Sequence, residues 1–146
     1  MRWALRPLFA GMLILATVSQ AQEDDSLSQE LDRLTKLAEQ PLYERALRWI
    51  CAPSRREVCS KNGCTGNPAA VTVKLDFRES TYSRCDEKGC DKYGLEFTSG
   101  GIFTTCSPHG SDAVMKVVND GSEYMEVTTL FLAAHVNFGT CRPDTD

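Results

Sequence analysis

The chain is poor in the residues and motifs that usually mark an enzyme. It has two histidines among 146 residues, too few for a metal centre built from several histidines. It also lacks a G-x-S-x-G nucleophile elbow, a glycine-rich phosphate loop and a C-x-x-C pair. Its acidic residues do not have the spacing of an EF-hand calcium loop. The sequence therefore predicts no cofactor and no metal ion, and it favours a non-enzymatic protein.

Long hydrophobic runs are missing once the first 21 residues are set aside. Two arginines precede an apolar run from Leu8 to Val18, and Ser19 and Ala21 are small residues at positions −3 and −1 of a cleavage site. The run is shorter than the roughly 20 residues that cross a membrane. We expect residues 1–21 to be a cleaved signal peptide. The mature chain is then one periplasmic or secreted domain, without membrane insertion.

Positive charge is scarce in the expected mature chain. Loss of Arg2 and Arg6 leaves 14 of the 16 basic residues against 20 acidic ones, a net charge of −6. This balance disfavours nucleic acid and anionic membrane surfaces as partners. It mildly favours a basic protein, although the sequence identifies neither the partner nor the oligomeric state.

Residues 22–52 predict a helical arm of two short helices. The first runs from Ser26 to Gln40, and its start matches a capping box. Pro41 suits the first turn of a second helix that ends at about Ile50. The apolar face of the first helix is expected to dock on its own domain, and recruitment of a partner is the alternative. That face consists of Leu27, Leu31, Leu34 and Ala38.

Residues 53–146 predict an antiparallel β domain that forms one globular unit with the arm. An irregular loop is expected from Ala52 to Pro68. The turns between the later segments are too short for crossover helices. The predicted fold class is therefore α+β, with a helical arm before a disulfide-stabilised meander of about seven strands in a small barrel or sandwich. The expected strands are Val71–Phe77, Tyr82–Cys85, Tyr93–Thr98, Ile102–Cys106, Val114–Val118, Tyr124–Phe131 and Val136–Thr140.

One apolar run, Leu130–Ala134, interrupts the alternation of the predicted strands. A doubly buried strand, a bulge and a helical turn all fit such a run, because periodicity does not separate them. The sequence leaves this segment open.

Cysteine is the residue type present in unusual number, with seven in the chain. In an oxidising compartment, six of them are expected to pair. A hairpin loop between Cys85 and Cys90 would place these two residues opposite each other. A bond between the ends of the domain would tie the arm to the sheet. The favoured disulfides are Cys51–Cys141, Cys59–Cys64 and Cys85–Cys90; crossed links between the two C-x4-C pairs and a four-thiolate zinc site are alternatives.

Cys106 is then the unpaired cysteine, three residues before His109. A buried or incidental free thiol, or a bridge to another molecule, is the favoured interpretation. A thiol-dependent enzyme that uses Cys106 with His109 as its base is an alternative.

The segment Ser99-Gly100-Gly101-Ile102-Phe103 resembles the Ser-Gly-x-x-Tyr loop of periplasmic lysozyme inhibitors, which are small cysteine-bearing β-barrels. Phe103 stands where that family has tyrosine, so the hydroxyl is missing. The resemblance implies a binding loop that enters the active site of a basic enzyme. The leading hypothesis is broader: a periplasmic or secreted binding or structural module that recognises its partner through loops or a barrel mouth.

Overall fold

Two helices and nine strands make up residues 15–67 and 71–145, the part of the chain that this computed structural model describes. The chain divides into two compact units, Met1–Leu34 and Thr35–Asp146. The described part of the first unit is helical, and the second unit contains all the described strands. The elements are α1 (Leu15–Glu39), α2 (Leu42–Arg45), β1 (Arg48–Ser60), β2 (Gly63–Asn67), β3 (Thr72–Asp76), β4 (Thr81–Asp86), β5 (Gly89–Gly100), β6 (Phe103–Pro108), β7 (Ala113–Val118), β8 (Tyr124–Leu130) and β9 (Ala133–Pro143).

Eight of the nine strands close into an antiparallel barrel. From β3 to β9 each strand pairs with its neighbours in sequence, and β1 pairs with β3 on one edge and with β9 on the other. The remaining strand, β2, folds back on the second half of β1. Closure of this kind pairs the edges that an open sheet would expose. The sequence left barrel and sandwich open, and the chain forms a barrel.

The predicted meander is confirmed from β3 onward. The alternation in β3 buries Val73 and Leu75 while Lys74 is exposed, which is the pattern of a strand with one wet face. Alternation in β7 buries Met115 and Val117 in the same way. The open segment after β8 is resolved as a two-residue turn, Phe131-Leu132, because Leu130 and Ala133 pair directly.

The expectations for the segment before β3 were wrong in two places. The second helix is one turn long and does not reach Ile50, because β1 begins at Arg48. Trp49 and Cys51 are both buried and lie two residues apart, a strand period. The loop expected from Ala52 to Pro68 instead holds most of β1 and all of β2. A β-bulge lies between Pro53 and Arg55, and bulges are among the few places where a strand accommodates proline.

Helix α1 also differs from its prediction. It begins at Leu15 rather than at Ser26, so the residues of the capping box lie inside a helix. Leu27 and Leu31 are exposed, whereas Leu37, which is outside the predicted face, is buried.

Of the expected signal peptide, residues 1–14 lie outside the described residues. Within the described ranges, no helix has the length and apolar character needed to cross a membrane.

The apolar core fills the half of the barrel next to α2. The indole Nε1 of Trp49 donates to the carbonyl oxygens of Leu42 and Ala46, at 3.2 and 2.9 Å. The bond to Ala46 satisfies a carbonyl at the end of α2 that a longer helix would have used internally, whereas the Leu42 carbonyl also accepts from Ala46 N at 3.3 Å. Beside them, the aromatic rings of Tyr43, Phe77 and Phe97 pack with centroids 4.9 to 5.9 Å apart.

Candidate functional site

The barrel has two ends that differ in chemistry. At the α2 end lie the turns 77–80, 101–102 and 119–123, and the interior there is the apolar core. At the hairpin end lie the two-residue turns 61–62, 87–88 and 131–132. The interior at the hairpin end is polar, with Arg56, Arg84, Glu126 and His135 on inward positions of four strands. The two ends therefore offer different surfaces to a ligand.

The structure contains the three disulfides that the sequence favoured. Cys51–Cys141 joins β1 to β9 inside the barrel, where both residues are buried. The other two, Cys59–Cys64 and Cys85–Cys90, close the β1–β2 and β4–β5 hairpins. Each pair occupies directly opposite positions on its two strands. Three disulfides are compatible with an extracellular or periplasmic location.

The four cysteines of the zinc alternative are all oxidised in this structure. One group of metal-type side chains occurs among the described residues, consisting of Glu57, Cys59 and Cys64. Its two sulfur atoms are bonded to each other. Zinc binds thiolates rather than disulfides, so this group does not form a zinc site.

Cys106 and His109 lie on opposite faces of the barrel wall. Cys106 is free and fully buried among the core side chains. His109 is exposed and its Nε2 lies 3.0 Å from Glu96 Oε1. Burial raises the pKa of the Cys106 thiol to about 12, whereas a nucleophilic cysteine needs a lowered pKa. Nothing in this geometry favours Cys106 as a nucleophile.

The segment Ser99–Phe103 forms the tight β5–β6 hairpin at the α2 end. Gly100 pairs with Phe103, and Gly101 has a φ of 57° in the turn between them. The main chain of this turn is held in place, because Asn119 donates to the carbonyl oxygens of Gly101 and Leu37, at 3.2 and 2.6 Å. Ser99, Gly100, Gly101 and Phe103 are all exposed, and Phe103 is 40% accessible.

A second exposed hairpin, at the opposite end, carries large apolar side chains. We call Leu130, Phe131 and Leu132 the apolar tip. Phe131 and Leu132 are 96% and 95% exposed, and Leu130 is also exposed. Phe131 has a φ of 55°, in the left-handed region that glycine adopts with little cost and that bulky residues avoid. The tip therefore combines unfavourable solvation with unfavourable backbone geometry.

Glu126 lies at the centre of the polar interior and is 1% exposed. Tyr82 donates its hydroxyl to Glu126 Oε1, and Asn137 Nδ2 donates to Oε2 at 2.6 Å. Arg84 reaches the same carboxylate with Nη1 at 3.7 Å. Desolvation and then the Glu126 charge raise the pKa of Tyr82 far above its usual value of 10.0. The phenol therefore remains a hydrogen-bond donor at physiological pH.

Towards the rim of the hairpin end, Arg56 and His135 form a second pair. Arg56 Nη2 donates to His135 Nδ1 at 2.9 Å. Desolvation lowers the pKa of His135, and the charges of Arg56 and Arg84 lower it further. Thr128 lies directly opposite His135 in the pairing of β8 with β9. Two guanidinium groups thus share a small volume with a neutral imidazole and a hydroxyl.

Sequence reasoning missed Arg56, Arg84, Glu126 and Asn137 as members of one site. They come from four strands, and barrel closure brings them together. One signal was present in the sequence. Tyr124, Glu126 and Thr128 are alternate residues of a predicted strand and therefore share one face. If Tyr124 is buried, the Glu126 carboxylate must also point inward. Arg84 lies two residues after Tyr82 in another predicted strand and carried the same signal, whereas Arg56 lay in a segment expected to be a loop.

Comparison with known proteins identifies no relative. No protein-family model, no curated protein and no solved structure matches the chain.

Proposed function

We propose that the chain is a small exported binding module without catalytic activity, and that its apolar tip contacts a protein partner. The observation that carries this proposal is the near-complete exposure of Phe131 and Leu132 at a turn where Phe131 also has a positive φ. Monomeric proteins rarely expose adjacent large apolar side chains without a use for them.

The physical gain from covering the tip is substantial. Removal of a phenylalanine or leucine side chain from water is worth about 1.5 to 3 kcal/mol each. Protein interfaces obtain much of their affinity from a few such anchors. The turn also spans only two residues between paired strands, so little conformational entropy is lost when it binds.

The charge and the disulfides support the location and the kind of partner. Export to an oxidising compartment fits the three disulfides. The expected mature net charge of −6 favours a partner with a basic surface around an apolar pocket.

A photo-crosslinking amino acid at position 132, in cells that export the protein, tests this proposal. We expect one discrete crosslinked product from position 132. The control is the same amino acid at position 114, because Val114 is an exposed apolar residue on the outer face of β7. The double variant Phe131→Gly and Leu132→Asn should fail to compete for the partner, whereas Val114→Thr should compete fully. Equal products at both positions, or none at position 132, would contradict the proposal.

A second candidate is inhibition of a basic exported enzyme of the lysozyme type, through the loop Ser99–Phe103. The observation that favours it is the exposure of this loop as a tight turn whose main chain is held by Asn119. The missing tyrosine hydroxyl leaves Phe103 to contribute apolar contact alone.

Lysozyme turnover in the presence of the purified, oxidised protein tests the second candidate. We expect inhibition at about 10 µM or below, and a loss of about tenfold in affinity for Phe103→Ala. The tip variant Phe131→Gly with Leu132→Asn is the matched control and should inhibit like the wild type. Full lysozyme activity at that concentration would eliminate this candidate and leave the tip proposal untouched.

A further inference from the structure

Among the buried and half-buried inward side chains of the hairpin end, positive charges outnumber negative ones, and Asp86 at the end of β4 is exposed. Arg56 and Arg84 are half-buried there, and Glu126 is the buried carboxylate beside them. Glu126 is the ion-pair partner of Arg84. Within the described part of the chain, Arg56 has no ion-pair partner, and its guanidinium contacts His135. Asp91 lies opposite Arg84 in the β4–β5 pairing, but it is exposed and beyond the 4.0 Å limit of an ion pair. Partial desolvation of a guanidinium without a counter-charge lowers the stability of the folded state.

Two buried polar atoms at the same end have no hydrogen-bond partner among the described residues: Arg56 Nε and Thr128 Oγ1. They belong to one place, because His135 accepts from Arg56 and lies opposite Thr128. Buried polar groups in folded proteins are nearly always hydrogen-bonded, so two unpaired polar atoms at one place are unusual. Here an N–H donor and a hydroxyl lack an acceptor beside an uncompensated positive charge.

We propose that the hairpin end of the barrel binds a small oxyanion, a carboxylate or a phosphate group, with Arg56 and Thr128 as its hydrogen-bond donors. Arg84 supplies a second positive charge. An oxyanion provides both missing properties, since it carries negative charge and offers several acceptor lone pairs. Arginine is the side chain best suited to carboxylate and phosphate groups, because its planar donors match their oxygen atoms.

The side chains at this end are partly open to solvent, but Arg56 Nε and Thr128 Oγ1 are themselves closed to it, so an anion reaches them only when the Arg56 side chain moves. Arg56, Arg84, Thr128 and His135 are half-buried, whereas Glu126 and Asn137, deeper in the barrel, are fully buried and bonded to each other. The rim therefore holds the unpaired donors, and the satisfied network forms the floor beneath them. Thr128 and His135 lie on the same hairpin as the apolar tip, two positions from Leu130, but anion binding does not require the proposed protein partner.

Titration of the full, oxidised chain with sodium phosphate, and separately with sodium acetate, tests this proposal. Both titrations are followed by NMR at pH 7 and constant ionic strength, set with sodium chloride. We expect a saturable shift of the Arg56 Nε–H signal, and the anion that binds more tightly distinguishes phosphate from carboxylate recognition. Arg56→Gln and Thr128→Val should each weaken binding by about tenfold or more.

The matched control is Arg55→Gln. Arg55 is the adjacent arginine but lies on the outer face, 4.4 Å from the centre of the Phe138 ring and 3.4 Å from Glu57. This variant removes the same charge and should change the affinity by less than about twofold.

Three results would overturn the proposal. They are the absence of a saturable shift with either anion up to about 0.1 M, unchanged affinity in Arg56→Gln and Thr128→Val, and an equal loss in Arg55→Gln. If Arg56→Gln does not fold, Thr128→Val decides the question, since valine keeps the shape of threonine. That variant removes an unpaired hydroxyl, so it should melt at the wild-type temperature or above when no anion is present.

Discussion

At the scale of single residues, Glu126 holds together the polar half of the barrel interior. Its two carboxylate oxygens accept from Tyr82 and Asn137, and Arg84 lies 3.7 Å away. An alanine at this position would leave a phenol, an amide and a guanidinium without their acceptor in a region that water reaches poorly. Loss of one partner of such a buried network costs far more than loss of a surface ion pair.

We therefore predict that Glu126→Ala lowers the free energy of unfolding by about 3 to 5 kcal/mol. Urea denaturation followed by circular dichroism measures the change. Glu123→Ala is the matched control, because Glu123 is an exposed glutamate just before β8, and it should alter stability by less than about 0.5 kcal/mol. A loss below about 1 kcal/mol for Glu126→Ala would show that the network contributes little.

The second prediction at this scale concerns the protonation of His135. We predict that NMR titration gives a pKa below the usual 6.5, because desolvation and the charges of Arg56 and Arg84 oppose protonation. The unfolded chain then takes up the proton more readily than the folded one. This group therefore contributes its full stability above about pH 6.5, and the contribution falls as the pH drops below that value.

Arg56→Gln provides the test of cause. It removes the nearer positive charge and should move the pKa of His135 upward, towards 6.5. Arg55→Gln should leave it in place, since that charge lies on the outer face beside Phe138. A wild-type pKa at or above 6.5 would contradict the arrangement of Arg56 and His135 described here.

At the scale of elements, strands β3 to β9 could be predicted from the sequence, whereas β1 and β2 could not. Alternation identified β3, because its inward positions are valine and leucine, and β4 to β9 were predicted as short β-prone runs between turn signals. The second half of β1 has Arg56 and Val58 as its inward residues, opposite Asn137 and His135. A polar interior removes the contrast between the two faces, and that contrast is the basis of the periodicity argument.

The one-turn helix α2 shows the opposite error. Its sequence continues with an apolar spacing that fits a helix, and Pro41 is a suitable start. The chain instead turns extended at Ala46, with φ −155° and ψ 145°. Trp49 then lies in β1 and donates to the Leu42 and Ala46 carbonyls from the side. Burial of the indole with its N–H satisfied outweighs a weak local helix propensity.

The apolar tip gives a prediction for one hairpin. Phe131→Gly with Leu132→Asn supplies the glycine-first sequence that two-residue hairpin turns favour. Phe131 is almost fully exposed, so little packing is lost. We expect the variant to be as stable as the wild type or more stable by up to about 1 kcal/mol, through relief of the positive φ. Thermal unfolding measures this. A loss of more than about 1 kcal/mol would mean that the tip supports the fold, and would weaken its proposed role in binding.

At the scale of the whole molecule, barrel closure depends on the contact between the first and last strands. Strand β1 pairs with β9 over ten positions, from Trp49 with Pro143 to Cys59 with Ala134. Pairing across 90 residues is not visible to local sequence patterns. The sequence did favour Cys51–Cys141, but as a tie between a helical arm and a sheet. The same bond in fact joins two strands of one barrel, because Cys51 belongs to β1.

The three disulfides should therefore differ in their contribution to stability. The chain-entropy argument gives about 4 to 5 kcal/mol for a loop of the size closed by Cys51–Cys141, and about 2 kcal/mol for each five-residue loop of the hairpins. We predict that replacing Cys51 and Cys141 by alanine destabilises the barrel about twice as much as replacing Cys59 and Cys64. Guanidinium denaturation of the two double variants, with the remaining disulfides verified by mass spectrometry, measures the difference. Similar losses in both would mean that pairing of β1 with β9 already holds the ends together in the denatured ensemble, so that the long loop is closed without the bond.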